Sequence, residues 1–94
     1  MITHCAIIKF QVSVDKRKIY EKLKRAPANI RFEEICKDAI DFGFIFKGGR
    51  GSHRIFVRQG IEEILNFQNV RGMVKPYQAK QFVKIIEKYN LVED

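Results

Sequence analysis

Tryptophan is absent from this chain, and cysteine, histidine, proline and methionine occur only twice each. Cys5 and Cys36 cannot build a disulfide framework. With His4 and His53 they are too few and too far apart for the closely spaced ligand sets that hold zinc. Both thiols are expected to be reduced, with Cys36 acting as a small hydrophobe among the apolar positions of a helix. Clustered carboxylates of the kind that hold Mg²⁺ for phosphoryl transfer are also missing. No apolar run approaches the ~18–20 residues of a membrane span. The opening Met1-Ile2-Thr3-His4-Cys5 lacks the basic start and long apolar stretch of a secretory leader, so the expected location is the cytoplasm. There is no internal repeat and no low-complexity run.

What is present points to one small soluble domain. The 94 residues are 46% hydrophobic and 31% charged, and eight phenylalanines and three tyrosines are enough to fill a compact core. The net charge is +7, and its placement is uneven. Between Lys47 and Lys84 eight basic residues face two acidic ones, Glu62 and Glu63, so this segment alone carries +6. A surface of this kind favours a polyanion, either nucleic acid or an acidic protein, while plain solubility is the bland alternative.

Residues 5–14 alternate, with Ala6, Ile8, Phe10, Val12 and Val14 on one side and Lys9, Gln11 and Ser13 on the other, the period of a half-buried strand. Such a strand would pair at a sheet edge or mediate self-association; the segment could equally be a loose extension. Residues 1–15 are therefore read as an N-terminal extension, and residues 16–92 as a single domain with its core in 30–92. Asp15 caps a helix over 16–25 with a short stripe of Ile19, Tyr20 and Leu23, and Ala26-Pro27-Ala28-Asn29 breaks it. A second helix is predicted over 31–42, with Phe32, Ile35, Cys36, Ala39 and Ile40 facing the core, Asn29 as its cap and Gly43 as its stop. Strands follow at 44–46, 53–58 and 64–68. In the second, His53, Ile55 and Val57 share one face and Arg54, Phe56 and Arg58 the other, and the pattern leaves open which face is buried. Pro76 opens a last helix with an apolar stripe of Ala79, Phe82, Val83, Ile86 and Tyr89. A separate ridge of Lys80, Lys84 and Lys88 lies on another face. Helix, three strands, helix is an α+β sandwich that leaves one sheet face open.

One stretch concentrates chemistry: Lys47-Gly48-Gly49-Arg50-Gly51-Ser52-His53-Arg54, continuing to Arg58. Three glycines in four positions mark an unusual backbone, cations bracket it, and His53 stands where turn becomes strand. Taken alone it is a possible anion site. A lone histidine at a strand start is more often structural, and a glycine turn is ordinarily only a hairpin connection.

Four blocks together carry a resemblance. Gly51-Ser52-His53, Leu65-Asn66-Phe67-Gln68, Lys75-Pro76-Tyr77-Gln78-Ala79-Lys80-Gln81-Phe82, and the Arg31-Phe32-Glu33-Glu34-Ile35 helix ending in Asp41-Phe42-Gly43-Phe44 resemble, in order and spacing, the HicA (YcfA-like) toxins. The resemblance covers residues 16–91. It implies a fold similar to a double-stranded RNA-binding domain, helix–three-stranded antiparallel sheet–helix, here with an N-terminal strand/helix extension. It also implies a ribosome-independent mRNA interferase paired with a HicB-type antitoxin that shields the active site, with His53 as the catalytic residue. Gly48-Gly49 depart from the family, where polar or basic residues are frequent.

Under that reading the expected RNA contacts are Lys47, Arg50, Gly51, Ser52, Arg54, Lys75, Lys80 and Lys84, with mRNA as substrate and no metal or cofactor. RNA supplies its own nucleophile, the 2′-hydroxyl, and histidine serves as general acid or base. Backbone N–H groups of the glycine turn and the guanidinium of Arg50 or Arg54 would stabilise the anionic transition state. His4 is given no role, and a lysine or Tyr77 is left as the second proton donor. Two other readings stay open: an RNA-binding module without catalysis, and a protein-interaction subunit whose basic face receives an acidic partner.

Overall fold

The computed structural model describes residues 14–94, so the alternating segment at 5–14 lies, save for Val14, outside the described residues. The elements run α1 (Lys16–Arg25), a 3₁₀ turn (Pro27–Asn29), α2 (Phe32–Asp41), β1 (Ile45–Gly48), β2 (His53–Val57), β3 (Leu65–Gln68), α3 (Pro76–Lys88) and a final 3₁₀ turn (Leu91–Glu93). The three strands form one antiparallel sheet in the order β1-β2-β3. The architecture is α+β, as expected.

Local chemistry explains most boundaries. Asp15 accepts a hydrogen bond from the Lys18 amide at 3.0 Å, capping α1 as its position predicts. Gly43 takes φ +88° and stops α2, and Pro76 opens α3. The start of α2 departs from expectation. Asn29 closes the preceding 3₁₀ turn, and Arg31 is the cap, with no side-chain bond to the first turn. Glu33 and Glu34 in that turn complement the helix dipole.

The period of two decides which sheet face is buried. Arg54 pairs with Phe67 and Phe56 with Leu65, and Phe56, Leu65 and Phe67 are all buried. That is the inner face, covered by α2 and α3. His53, Ile55 and Val57 lie on the opposite face, so the aliphatic side of β2 is the open one and Phe56 marks the core. Phe82 of α3 is the hub of the core. Its ring meets Phe42 at 5.6 Å, Phe44 at 6.0 Å and Phe67 at 5.9 Å between centroids, and it is fully buried.

Two sequence expectations are corrected in the helices. Ile40 is 55% exposed rather than core-facing, because α2 turns its Asp38 inward instead. Asp38 is 5% exposed, and its Oδ2 has no hydrogen-bond partner among the described residues. Burial pushes its carboxyl up to about 6. The second correction concerns α1, which is integral to the domain and not an appendage to a core beginning at residue 30. Its Leu23 is fully buried in the same cluster as Phe82 and Ile86. Lys24 and Tyr20 of α1 both bond Glu87 of α3.

Two measurements check this account. Phe82→Ala removes the hub ring and is expected to cost about 3–5 kcal/mol, a large part of the stability of so small a domain, read as a lower midpoint in urea. Asp38 binds its proton more tightly folded than unfolded. Its contribution to stability is therefore full at low pH and is lost as pH rises from about 4 through 6, with a slope of at most about 1.4 kcal/mol per pH increment of one. Asp38→Asn is expected to flatten that stretch of the stability–pH curve.

Candidate functional site

The glycine-rich turn is held by close backbone approach. The His53 amide donates to the Arg50 carbonyl at 2.9 Å, closing the turn Arg50–His53. Gly51 sits at φ +56°, the left-handed region that side chains disfavour. A Cβ on Gly49 would lie 2.1 Å from the His53 carbonyl oxygen, so no side chain fits there without moving the histidine's own backbone. The pairing also slips by one residue. Phe46 faces Phe56 but Gly48 faces Ile55, which leaves Lys47 as the extra residue of a bulge. Gly49 is therefore what allows the end of β1 to approach the start of β2, whereas a Cβ on Gly48 would meet nothing within 4 Å.

His53 is the first residue of β2, opposite Gln68 of β3. Its exposed side chain lies on the open face, the face shared with Ile55, Asn66 and Gln68. The ring Nδ1 is 3.2 Å from Asn66 Oδ1. With an amide oxygen as its neighbour, Nδ1 carries the proton of the neutral ring, and Nε2 keeps the lone pair. Asn66 thus orients the imidazole and selects its tautomer.

The last helix is tied to this corner. The Ser52 carbonyl accepts from the Asn69 amide at 2.8 Å, joining the glycine turn to the end of β3. Gln78 of α3, 3% exposed, accepts the Gln68 amide on its Oε1 at 3.0 Å. That bond satisfies an edge-strand donor that a buried setting would otherwise leave unpaired. Asn66 and Gln78 are the residues that residue-type reasoning missed. Neither titrates, and their only signal was membership of the Leu65–Gln68 and Lys75–Phe82 blocks.

The basic residues divide into two groups. Lys47, Arg50, Lys75, Lys80 and Lys84 are exposed, and among the described residues none takes part in an ion pair. Gly51 and Ser52 are exposed in the turn beside them. Tyr77, Lys80, Gln81 and Lys84 line one concave surface along α3, whose cap is Lys75. Arg54 is elsewhere. It alternates to the inner face, stacks over the Phe32 ring at 5.0 Å and pairs with Glu33 at 3.4 Å. The structure does not bring it together with His53. Arg58 donates to the Phe42 carbonyl at 2.7 Å and pairs with Asp94, a structural role. Lys88 leaves the predicted lysine ridge to bond Glu63 at 2.7 Å; Lys88 and then Tyr89 hold the Glu63 carboxyl low, at about 2.

Tyr77 is 60% exposed, on α3 one residue before Gln78. Among the described residues no group of three histidine, cysteine or acidic side chains is arranged to hold a metal ion, and no helix is long and apolar enough to cross a membrane. No family model, curated protein or solved structure matches the chain.

The turn geometry makes a graded prediction. Gly51→Ala is expected to cost about 1 kcal/mol from its positive φ. Gly49→Ala is expected to cost more, and to shift the His53 and Asn66 resonances in an NMR amide spectrum, because it pushes on the His53 carbonyl. Equal effects of the two substitutions would contradict the close approach.

Proposed function

We propose that this protein is an endoribonuclease toxin of the HicA type, on a fold like that of a double-stranded RNA-binding domain. In this reading it cleaves mRNA without the ribosome and without a metal ion, and a HicB-type antitoxin covers its active site. The observation that carries the reading is His53: an exposed imidazole at the end of a strand, oriented through Nδ1 by Asn66, with Nε2 directed away from that bond. Support also comes from the two motif blocks whose Asn66 and Gln78 make structural contacts around that residue.

The chemistry follows from RNA itself. Nε2 takes the proton of a ribose 2′-hydroxyl, whose oxygen attacks the adjacent phosphorus. The bond to the 5′-oxygen breaks, and that oxygen takes a proton from solvent water, while the proton on Nε2 returns to solvent. The products are a 2′,3′-cyclic phosphate and a 5′-hydroxyl. Arg50, Lys47 and the amides of the glycine turn face the developing negative charge. Arg54, expected from the sequence to share that task, is occupied at Glu33 and Phe32 and is left out. Lys75, Lys80 and Lys84 hold the backbone of the strand, with log–log salt dependence in proportion to the phosphates they neutralise.

His53→Ala is expected to lower cleavage of a labelled mRNA by about 10²–10⁴-fold, in EDTA as in buffer, while salt-dependent RNA binding persists. Asn66→Ala, a positioning change, is expected to lower kcat several-fold and leave KM near its original value, since it removes about 1 kcal/mol of orientation. Cleavage by His53→Ala at the original rate would refute the assignment. Binding without any cleavage by the unaltered protein would favour a non-catalytic RNA-binding module.

A further inference from the structure

One face of α3 sets an aromatic ring in a row of cations. Tyr77, Lys80, Gln81 and Lys84 recur at spacings of three and four residues, so they share that face, and they line a concave surface of about 610 Å³. Neither lysine takes part in an ion pair among the described residues. The other tyrosines are tied down: Tyr20 donates to Glu87, and Tyr89 to Glu63. Phe46 is exposed but leans on Phe56, beside the paired Arg54 and Glu33. Among the described residues Tyr77 is therefore the exposed phenyl ring whose neighbours are unpaired cations.

That ring stands near His53. His53 faces Gln68 across the sheet, the Gln68 amide donates to Gln78 Oε1 at 3.0 Å, and Tyr77 precedes Gln78 in the first turn of α3. One strand spacing and one glutamine side chain separate the two residues, so their backbones lie within roughly 15 Å. From Tyr77 the row continues about 10 Å along the helix axis to Lys84, which lies beside Glu63. A strand with its phosphate at His53 that crosses the end of β3 meets the ring first and the two lysines after it.

We infer that Tyr77 is a stacking platform for one base of an unpaired RNA strand, a few nucleotides from the phosphate at His53. The inference rests on the RNA-cleaving reading above and names its substrate as single-stranded. A base offers its π-face to a side chain only outside the duplex stack. A-form duplex presents phosphates and 2′-hydroxyls, which lysines meet and an aromatic ring does not. Cations that track the backbone, with a ring among them that accepts a base, are the arrangement that holds single strands. The chemistry agrees. The 2′-oxygen must line up opposite the leaving 5′-oxygen, and regular A-form stacking prevents that alignment. An acidic protein would pair with the same lysines but give the face of the ring no task. Stacking uses the ring and not its hydroxyl, so this role is distinct from proton donation.

The test measures binding by the full chain, not cleavage. The probes are a short single-stranded RNA carrying 2′-O-methyl groups, the same strand with its bases removed, and its duplex. Tyr77→Ala is expected to weaken binding of the single strand about tenfold and leave the log–log salt slope unchanged, because the same phosphates are neutralised. Lys80→Ala is expected to lower that slope by about one. Tyr77→Phe keeps the ring and is expected to bind like the unaltered protein. Tyr77→Trp gives the chain its only tryptophan, whose fluorescence is expected to be quenched by the single strand and not by the base-free strand or the duplex. Single-strand affinity unchanged in Tyr77→Ala, or equal affinity of the unaltered protein for all three probes, would overturn the platform and leave the nuclease reading standing. Failure of the unaltered protein to bind any of the three would overturn both.

Discussion

Everything in this domain depends on one packing constraint: the inner face of the sheet must meet Phe82. Phe67 reaches that ring from β3, Phe42 and Phe44 reach it from the end of α2, and Phe56 joins through Phe67. Each such ring gains roughly 1.5–3 kcal/mol from burial, so a slip of one residue in β2 or β3 would expose several at once. With Phe56 and Phe67 committed inward, strand alternation sends His53 and Asn66 outward. The position of the histidine is thus a consequence of where the phenylalanines go.

The same constraint separates the cations. Arg54 follows Phe56 to the inner side and is drawn off by Glu33 and Phe32, whereas Arg50 and Lys47 remain in and beside the turn. Gln78 ties the start of α3 to the end of β3, which brings Lys75, the cap of that helix, to the same end of the molecule as the glycine turn, while Lys84 lies further along beside Glu63. On the proposed reading, the turn handles charge at the reacting phosphate and the helix holds the neighbouring backbone. Only the first of these tasks demands fixed geometry, and the backbone there is fixed by the contact of Gly49 with His53.

Much of the fold could be read from residue order. The capped start of α1, the stop at Gly43, Pro76 at the head of α3 and the stripe through Phe82 follow from local chemistry that tertiary structure did not override. The failures share a cause. Ile40 and Asp38 flank Ala39 on α2, and the apolar stripe could not tell which of the two the neighbouring elements would cover. The face of β2 was undecidable because Ile55 and Val57 compete with Phe56 in hydrophobicity, and only the partner strand breaks the tie. At the site, His53 drew notice only through the resemblance and the glycine turn beside it, since a lone histidine is more often structural. Asn66 and Gln78 were not legible, since an amide side chain acquires meaning only from its neighbour across the sheet.

The proposed chemistry rests on attack by the ribose 2′-oxygen with His53 as proton acceptor. The chemical ends of the cleaved RNA report on that step more directly than any rate. Mass spectrometry of fragments made by the unaltered protein in EDTA is predicted to find 2′,3′-cyclic phosphate on one side of each cut and 5′-hydroxyl on the other, and no cutting of an RNA whose ribose carries 2′-O-methyl groups. Fragments ending in 3′-hydroxyl and 5′-phosphate would contradict the account, because they require water as the nucleophile.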